Sequence, residues 1–426
     1  MVLSPIDLTA IFLGLSALIG WLNLRLFRLP PGVAMLATGL VGTLSLVGLD
    51  RVWPALGLGR AVGLILRQVD FSATVLRFFL AYLLFAGAMH VDLEALRRRW
   101  RTAAVLATLG VVISATVIGA SFWLAARLLH VSISFAWCLV FGVLISPTDP
   151  VAVLSALRRT SLVSDIRALI EGEALFNDGV GVVLFGAALI LAGGGAAASP
   201  LGIAGGVLVQ AGGGAALGFA AGFVAIGAMR MIDDYVVEVG ITLALATGVY
   251  ALAQALSFSG PIAVVVAGLM LGRHTRHETM SEQTRRYTRA FWTIVDENMN
   301  GILFLLVGLE VFALRFSVLI GVLAATAIVL VMLGRLGSMA GPAALLAVLD
   351  GGIKRGLVGV MTWAGVRGGL SLAMALSLPL ARERPIILAS TYVVVVFSVI
   401  VQSLTLERLI VRLGYGAPLP AEPRSA

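Results

Sequence analysis

The sequence has little charge. Only 12% of its 426 residues are Asp, Glu, Lys or Arg, whereas 60% are hydrophobic and the mean hydropathy is +1.04. A water-soluble chain of this length needs far more polar surface, and no polar stretch is long enough to form a separate soluble domain. The composition therefore predicts an all-α polytopic membrane protein, because helices satisfy their own backbone hydrogen bonds in lipid.

Cysteine and early basic residues are also scarce. The single cysteine, Cys138, excludes a disulfide framework and is expected to be a packed thiol. The N-terminus carries Asp7 but no early Lys or Arg, so its first apolar run is predicted to be a retained helix and not a signal peptide. The net charge of +8 does not indicate nucleic-acid binding, because the arginines lie in short loops between apolar runs. We expect no cofactor.

Apolar runs predict thirteen transmembrane helices within residues 1–413. The predicted spans are residues 8–26, 31–49, 72–91, 103–126, 133–157, 167–192, 200–229, 236–256, 259–272, 290–313, 316–347, 357–380 and 386–406. Most of the 30 Lys and Arg residues follow odd-numbered spans, with Arg335 expected to reach the membrane interface. The positive-inside rule then predicts an outside N-terminus and a short cytoplasmic tail at 414–426.

The most informative polar stretch is Glu171-Gly-Glu-Ala-Leu-Phe-Asn-Asp178, which opens an apolar run. An ionisable residue within a bilayer is costly, so it indicates a functional site. Glu173 and Asn177 are four residues apart and share a helix face, and Asp178 points nearly the same way. A plain helix end, favoured by the helix dipole, is the alternative for Glu171.

The second stretch is Ser146-Pro-Thr-Asp-Pro150, in the middle of an apolar run. Two prolines three residues apart cannot both lie in an intact helix, so the helix must break there. Broken backbone at membrane depth is tolerated only inside protein or beside a water-filled cavity. Thr148, Asp149 and the freed carbonyls near Ser146 are therefore candidate cation ligands, with a simple proline kink at a loop edge as the alternative.

The third stretch is Trp363-Ala-Gly-Val-Arg-Gly-Gly369, whose glycines predict a second interrupted helix. Arg367 is the only basic residue in the apolar centre of a run. An unpaired arginine there would be very costly, so it is predicted to pair with a carboxylate, Glu173 before Glu171. The alternative is an arginine that reaches a lipid headgroup.

The two broken spans, the fifth and the twelfth, are seven spans apart. This spacing predicts two inverted repeats of six spans joined by one linking span. Interrupted helices at matching places in two halves are typical of a midplane binding site in a secondary transporter.

These three stretches resemble the signatures of the bacterial sodium/proton antiporters of the monovalent cation:proton antiporter-1 family. Residues 259–269 and 303–310 also resemble family segments, so the similarity covers nearly the whole chain in order. The resemblance implies a homodimer in the bacterial inner membrane. It also implies a dimerisation subdomain, about 1–49 and 200–272, and a mobile core subdomain, about 72–192 and 290–406.

The resemblance also implies roles for single residues. Asp178 would bind a cation and a proton alternately, and the Asn177-Asp178 pair resembles the electroneutral branch. Glu173 would pair with Arg367 and steady Asn177, while Thr148 and Asp149 would lie where the broken helices cross. Ala174 and Ala86 stand where many relatives carry side-chain oxygens, which leaves potassium or lithium open beside sodium.

The leading hypothesis is exchange of a monovalent cation, sodium first, for protons across the bilayer. A cation channel is an alternative, but it would not need a titratable carboxylate tied to an asparagine and an arginine. An intramembrane aspartyl protease would use Asp149 and Asp178 as its pair, yet the sequence has no Gly-X-Gly-Asp motif. We therefore expect a transporter and not an enzyme.

Overall fold

The computed structural model describes residues 5–53, 73–91, 93–98, 100–149, 153, 164–193, 200–275, 281–310, 317–350 and 355–415. Over these residues the regular secondary structure is helical, with no strand. Apolar runs form helices because the bilayer core offers the backbone no other hydrogen-bond partners. The all-α expectation is confirmed. Residues 416–426 of the predicted tail lie outside the described part.

The described helices are numbered in chain order. They are α1 (Pro5–Leu22), α2 (Pro31–Val52), α3 (Ala73–His90), α4 (Leu93–Arg98), α5 (Trp100–Leu128), α6 (Phe135–Leu144), α7 (Ser164–Ala192), α8 (Pro200–Met229), α9 (Tyr235–Ala255), α10 (Gly260–His274), α11 (Glu282–Glu310), α12 (Val318–Asp350), α13 (Arg355–Trp363), α14 (Gly369–Leu376), α15 (Arg384–Phe397) and α16 (Ser403–Arg412). One π-helical turn, Asn23–Phe27, follows α1, and another, Ser398–Gln402, joins α15 to α16.

Many of these helices are long and apolar enough to cross a membrane. By length and composition, nine candidate spans lie within the described residues, and three shorter apolar helices lie among them: Phe79–His90, Phe135–Leu144 and Gly260–His274. The prediction of a polytopic membrane protein is confirmed. The count of thirteen stays a prediction.

Both predicted breaks are present. Helix α6 begins at its N-cap, Ser134, whose hydroxyl accepts a hydrogen bond from the Trp137 N–H, and it ends at Leu144, before the two prolines. The second half of the predicted fifth span, from residue 150, falls almost wholly outside the described residues. Helix α13 ends at Trp363 and α14 begins at Gly369, so residues 364–368 form the second break.

The polar helix α7 lies inside the bundle. It packs against α5 and α6, and α5 in turn packs against α12. Gly142 permits the close approach of α6 to α5, because a Cβ there would lie 2.2 Å from the Ala115 carbonyl oxygen. By contrast, α1 and α8 carry large exposed apolar side chains, among them Trp21 and Phe223. The protein interior therefore shelters the polar face of α7.

Candidate functional site

One face of α7 carries the predicted polar residues into the protein interior. Glu173 and Asn177 are buried, and Asp178 is 9% exposed. Glu171, two turns before Asp178, is buried as well. The side chains on this face therefore point into the protein.

Asn177 ties α7 to the break after α6. Its Nδ2 donates to Glu173 Oε1 at 2.9 Å and to Thr148 Oγ1 at 2.8 Å. Its Oδ1 accepts from the Thr148 backbone N–H at 3.3 Å. Both the oxygen and the nitrogen of the amide are thus hydrogen-bonded, so Asn177 holds the non-helical backbone at Thr148 against α7.

Glu173 pairs with Arg335 of α12. The guanidinium reaches it in a two-pronged arrangement, Nη1 to Oε1 at 2.8 Å and Nη2 to Oε2 at 2.9 Å, and also donates to the Met361 carbonyl at 3.3 Å. Arg335 is only 4% exposed. Gly365 makes room for it, because a Cβ there would lie 2.5 Å from Arg335 Nε.

Two predictions are therefore wrong. Glu173 was expected to pair with Arg367, and Arg335 was expected to reach the membrane interface. The reason is geometric: α12 runs beside the second break, which places Arg335 within reach of Glu173. A planar guanidinium that matches both carboxylate oxygens leaves Glu173 no need of a second arginine.

Arg367 has a different task. It is buried, and its Nη1 donates to the carbonyls of Ser146 and Pro147, with the Pro147 bond at 3.1 Å. These carbonyls follow the C-terminus of α6, where a helix leaves unpaired acceptors and a partial negative charge. Arg367 offsets that charge and satisfies the acceptors. Its Nε and Nη2 find no hydrogen-bond partner among the residues that the structure describes.

Asp149 lies at the opposite helix end. Its backbone N–H donates to the Val366 carbonyl at 2.8 Å. Its carboxylate lies against Gly368, the N-cap residue of α14, where an added Cβ would be 2.2 Å from Oδ2. An anion is favourable at a helix N-terminus. Where the two breaks cross, the Arg367 guanidinium therefore lies at the C-terminus of α6 and the Asp149 carboxylate lies at the N-terminus of α14.

Asp178 faces a cavity at this crossing. The polar residues that line it are Thr148, Asp149, Asp178, Asn300 and Ser371. Leucines of α3, α7, α11 and α14 complete its walls together with Pro147 and three glycines. Within the described part of the chain, no hydrogen bond to the Asp178 carboxylate is found, and the carboxylates of Asp149 and Glu173 are near enough to repel its charge. Its oxygens are thus open to a cation or a proton, and oxygen ligands suit hard cations.

The structure separates the predicted site residues into two sets. Asp178, Thr148 and Asp149 line the cavity. Asn177 and Glu173 do not line it but are hydrogen-bonded to each other behind its wall. Ser146 does not face it: its hydroxyl donates to the Gly142 carbonyl at 2.7 Å. Glu171 is buried on the same helix but is absent from the cavity wall among the described residues.

Sequence reasoning missed two polar residues of the wall, Asn300 and Ser371. Asn300 carried a usable signal, because it follows Asp296 by one helical turn at the start of an apolar run. Its Nδ2 donates to the Asp296 carbonyl and to Asp296 Oδ1, both at 3.0 Å. Ser371 carried little signal, since a lone serine is common in transmembrane helices.

Comparison with known proteins identifies the family. The family model described as "Sodium/hydrogen exchanger, transmembrane" matches residues 14–412. The chain belongs to this family. Exchangers of this family are transporters, so the expectation that the protein is not an enzyme is confirmed.

Individual relatives of this exchanger are similar over nearly their whole length. The Na(+)/H(+) antiporter NhaP of Pseudomonas aeruginosa is 43% identical over 422 residues, 97% of this chain and 98% of that one. The Na(+)/H(+) antiporter NhaH of Halobacillus aidingensis is 35% identical over 400 residues, 92% and 93% of the two chains.

A solved structure supports the fold of the exchanger. The sodium proton antiporter MjNhaP1 from Methanocaldococcus jannaschii, determined at pH 8, superposes with a TM-score of 0.72. The match covers 96% of this chain and 98% of that chain at 20% sequence identity.

Proposed function

We propose that this exchanger carries sodium in one direction and protons in the other, with Asp178 as the group that holds each in turn. The observation that best supports this proposal is the environment of the Asp178 carboxylate. It faces the cavity at the helix crossing without a hydrogen bond from the described residues, while its neighbours Asn177 and Glu173 are fully engaged. The relatives' names, Na(+)/H(+) antiporters, support sodium and proton as the pair.

Coupling follows from the cost of a bare charge. A carboxylate without a partner is very unfavourable away from water, so Asp178 must hold either a cation or a proton while it crosses. A carrier whose Asp178 holds neither a cation nor a proton should therefore cross the membrane slowly. Movement of the crossing between the two membrane faces then gives alternating access with the two fluxes linked.

The stoichiometry follows from the charges beside Asp178. The Glu173–Arg335 pair is neutral as a unit, Asn177 carries no charge, and the Asp149 carboxylate lies at the N-terminus of α14. One sodium or one proton on Asp178 leaves the loaded carrier with the same charge. We therefore propose one-for-one, electroneutral exchange.

Flux in proteoliposomes tests both parts of this proposal. An imposed pH gradient should drive sodium uptake, and clamping the membrane potential with potassium and valinomycin should leave the initial rate unchanged. A net charge moving through the membrane would instead gain or lose about 2.3 kcal/mol per 100 mV. A rate that follows voltage contradicts the one-for-one ratio, and a sodium conductance without proton movement indicates a channel.

Other features belong to the same proposal. We propose a homodimer in the bacterial inner membrane, with the C-terminus in the cytoplasm and the core subdomain moving past the dimerisation subdomain. The arginine-rich loops after odd-numbered spans support that orientation. Ala86 and Ala174 are both buried near the site and offer no side-chain oxygen, so lithium and potassium belong in every flux assay beside sodium.

A further inference from the structure

Ser371 is a buried hydroxyl that lacks a partner. It is 1% exposed, and its Oγ has no hydrogen bond from or to any described residue. A hydroxyl removed from water without a compensating hydrogen bond is unfavourable, and most buried polar groups avoid it. Ser371 is one of several such hydroxyls among the described residues, Ser390 being another, so its place in the structure must distinguish it.

The position of Ser371 favours a ligand. It lies in the first turn of α14 and lines the same cavity as Asp178, on a wall that belongs to a different helix. Asn300 lies on the wall contributed by α11, where its Nδ2 donates to Asp296. Polar residues of α14 and α11 thus line the same cavity as Asp178.

The charge at this helix end permits a cation. The N-terminus of α14 alone would repel one, because its free N–H groups carry partial positive charge. The Asp149 carboxylate lies against Gly368, directly at that terminus, and offsets this charge. A cation beside Ser371 would therefore lie at a helix end whose partial positive charge Asp149 offsets, in a cavity that Asn300 also lines.

We propose that the Ser371 hydroxyl is a ligand of the transported cation, sharing it with the carboxylate of Asp178. The inference rests on the proposed cation exchange and deepens it by adding a residue that sets cation affinity. A hydroxyl oxygen coordinates a metal cation but is not basic enough to hold the transported proton. The loss of this hydroxyl should therefore weaken the cation step and leave the proton step unchanged.

The test compares Ser371→Ala with Ser371→Thr, which keeps the hydroxyl, and with Ser390→Ala as a matched control. Ser390 on α15 is also buried with an unpartnered Oγ among the described residues, yet it does not line the cavity. Ser371→Ala should raise the apparent KM for sodium about tenfold, the size of one hydrogen-bond-like contact to a charge. Ser371→Thr should keep a lower KM for sodium than Ser371→Ala because it keeps the hydroxyl, and Ser390→Ala should stay close to wild type.

A second measurement avoids transport altogether. Sodium should raise the Tm of the detergent-purified wild type, and Ser371→Ala should need about tenfold more sodium for the same shift. If Ser371→Ala matches Ser390→Ala in both measurements while wild type exchanges sodium for protons, the ligand role is overturned and the proposed function stands. If wild type shows no exchange, the proposed function fails, and the shift in Tm still decides whether Ser371 binds sodium.

Discussion

Asp178→Asn should abolish sodium/proton exchange and leave a folded protein. The amide has nearly the shape of the carboxylate, so the packing around α7 is kept, but it can neither take up a proton nor neutralise a cation. The substitution also removes a buried charge that lies among the carboxylates of Asp149 and Glu173. We therefore expect no measurable pH-driven sodium uptake in proteoliposomes, together with a Tm equal to or above that of wild type.

The matched control for this experiment is Asp7→Asn, which makes the same chemical change at an exposed position in the first turn of α1. It should exchange at the wild-type rate. Residual coupled exchange in Asp178→Asn would contradict the carrier role of Asp178 and move it to Asp149 or Glu173. A collapsed Tm would instead assign Asp178 a structural task.

Arg335→Ala should destabilise the protein strongly and also stop transport. It leaves Glu173 buried with its charge unpaired, and breaking a buried pair from one side costs about 3–5 kcal/mol. Because Glu173 accepts from Asn177, the loss also loosens the link between α7 and the break at Thr148. Thermal unfolding in detergent and initial exchange rates measure the two effects.

A surface pair provides the comparison. Arg285→Ala removes the partner of Glu282, an ion pair at 4.0 Å with the glutamate side chain 91% exposed, and such pairs contribute about 0–1 kcal/mol. The double variant Arg335→Ala, Glu173→Gln should recover part of the lost stability, because no bare carboxylate remains. Equal Tm values for Arg335→Ala and Arg285→Ala would refute a stabilising role of the buried pair.

The parts of the site that the sequence could predict are those that violate a strong local rule. Asp178 stands out because apolar sequence follows it, and an ionisable side chain inside a bilayer is energetically costly. Two prolines three residues apart mark the first break, and the glycines around Arg367 mark the second. Each signal depends on residues near one another in the chain, so the chain alone reveals it.

Partners across the bundle could not be predicted in this way. Helix α12 spans 33 residues, which is longer than a bilayer requires. Hydropathy therefore does not show whether Arg335 lies at the membrane interface or in the protein core. The choice of Arg367 as the partner of Glu173 assumed that the more central arginine must pair with a carboxylate. Backbone carbonyls after α6 accept hydrogen bonds from Arg367 instead. Every residue has a backbone carbonyl, so the sequence does not show which of them will accept such a bond.

Ser371 shows the same limit for neutral groups. A serine is inexpensive in a transmembrane helix and often donates to a carbonyl of its own helix, as Ser146 does to Gly142. Only the structure shows that the Ser371 hydroxyl lacks such a bond among the described residues, and that Ser371 lies at the cavity of Asp178.

The central claim is that sodium and a proton compete for Asp178, and proton release on sodium binding tests it most directly. Sodium added to weakly buffered, detergent-purified protein, at a pH where Asp178 is protonated, should release one proton for each ion bound, as expected when a cation displaces a proton from its ligand. Sodium affinity should rise with pH, since fewer protons compete, and Asp178→Asn should release none. Sodium binding to wild type with no proton release, or equal release from Asp178→Asn, would contradict the account.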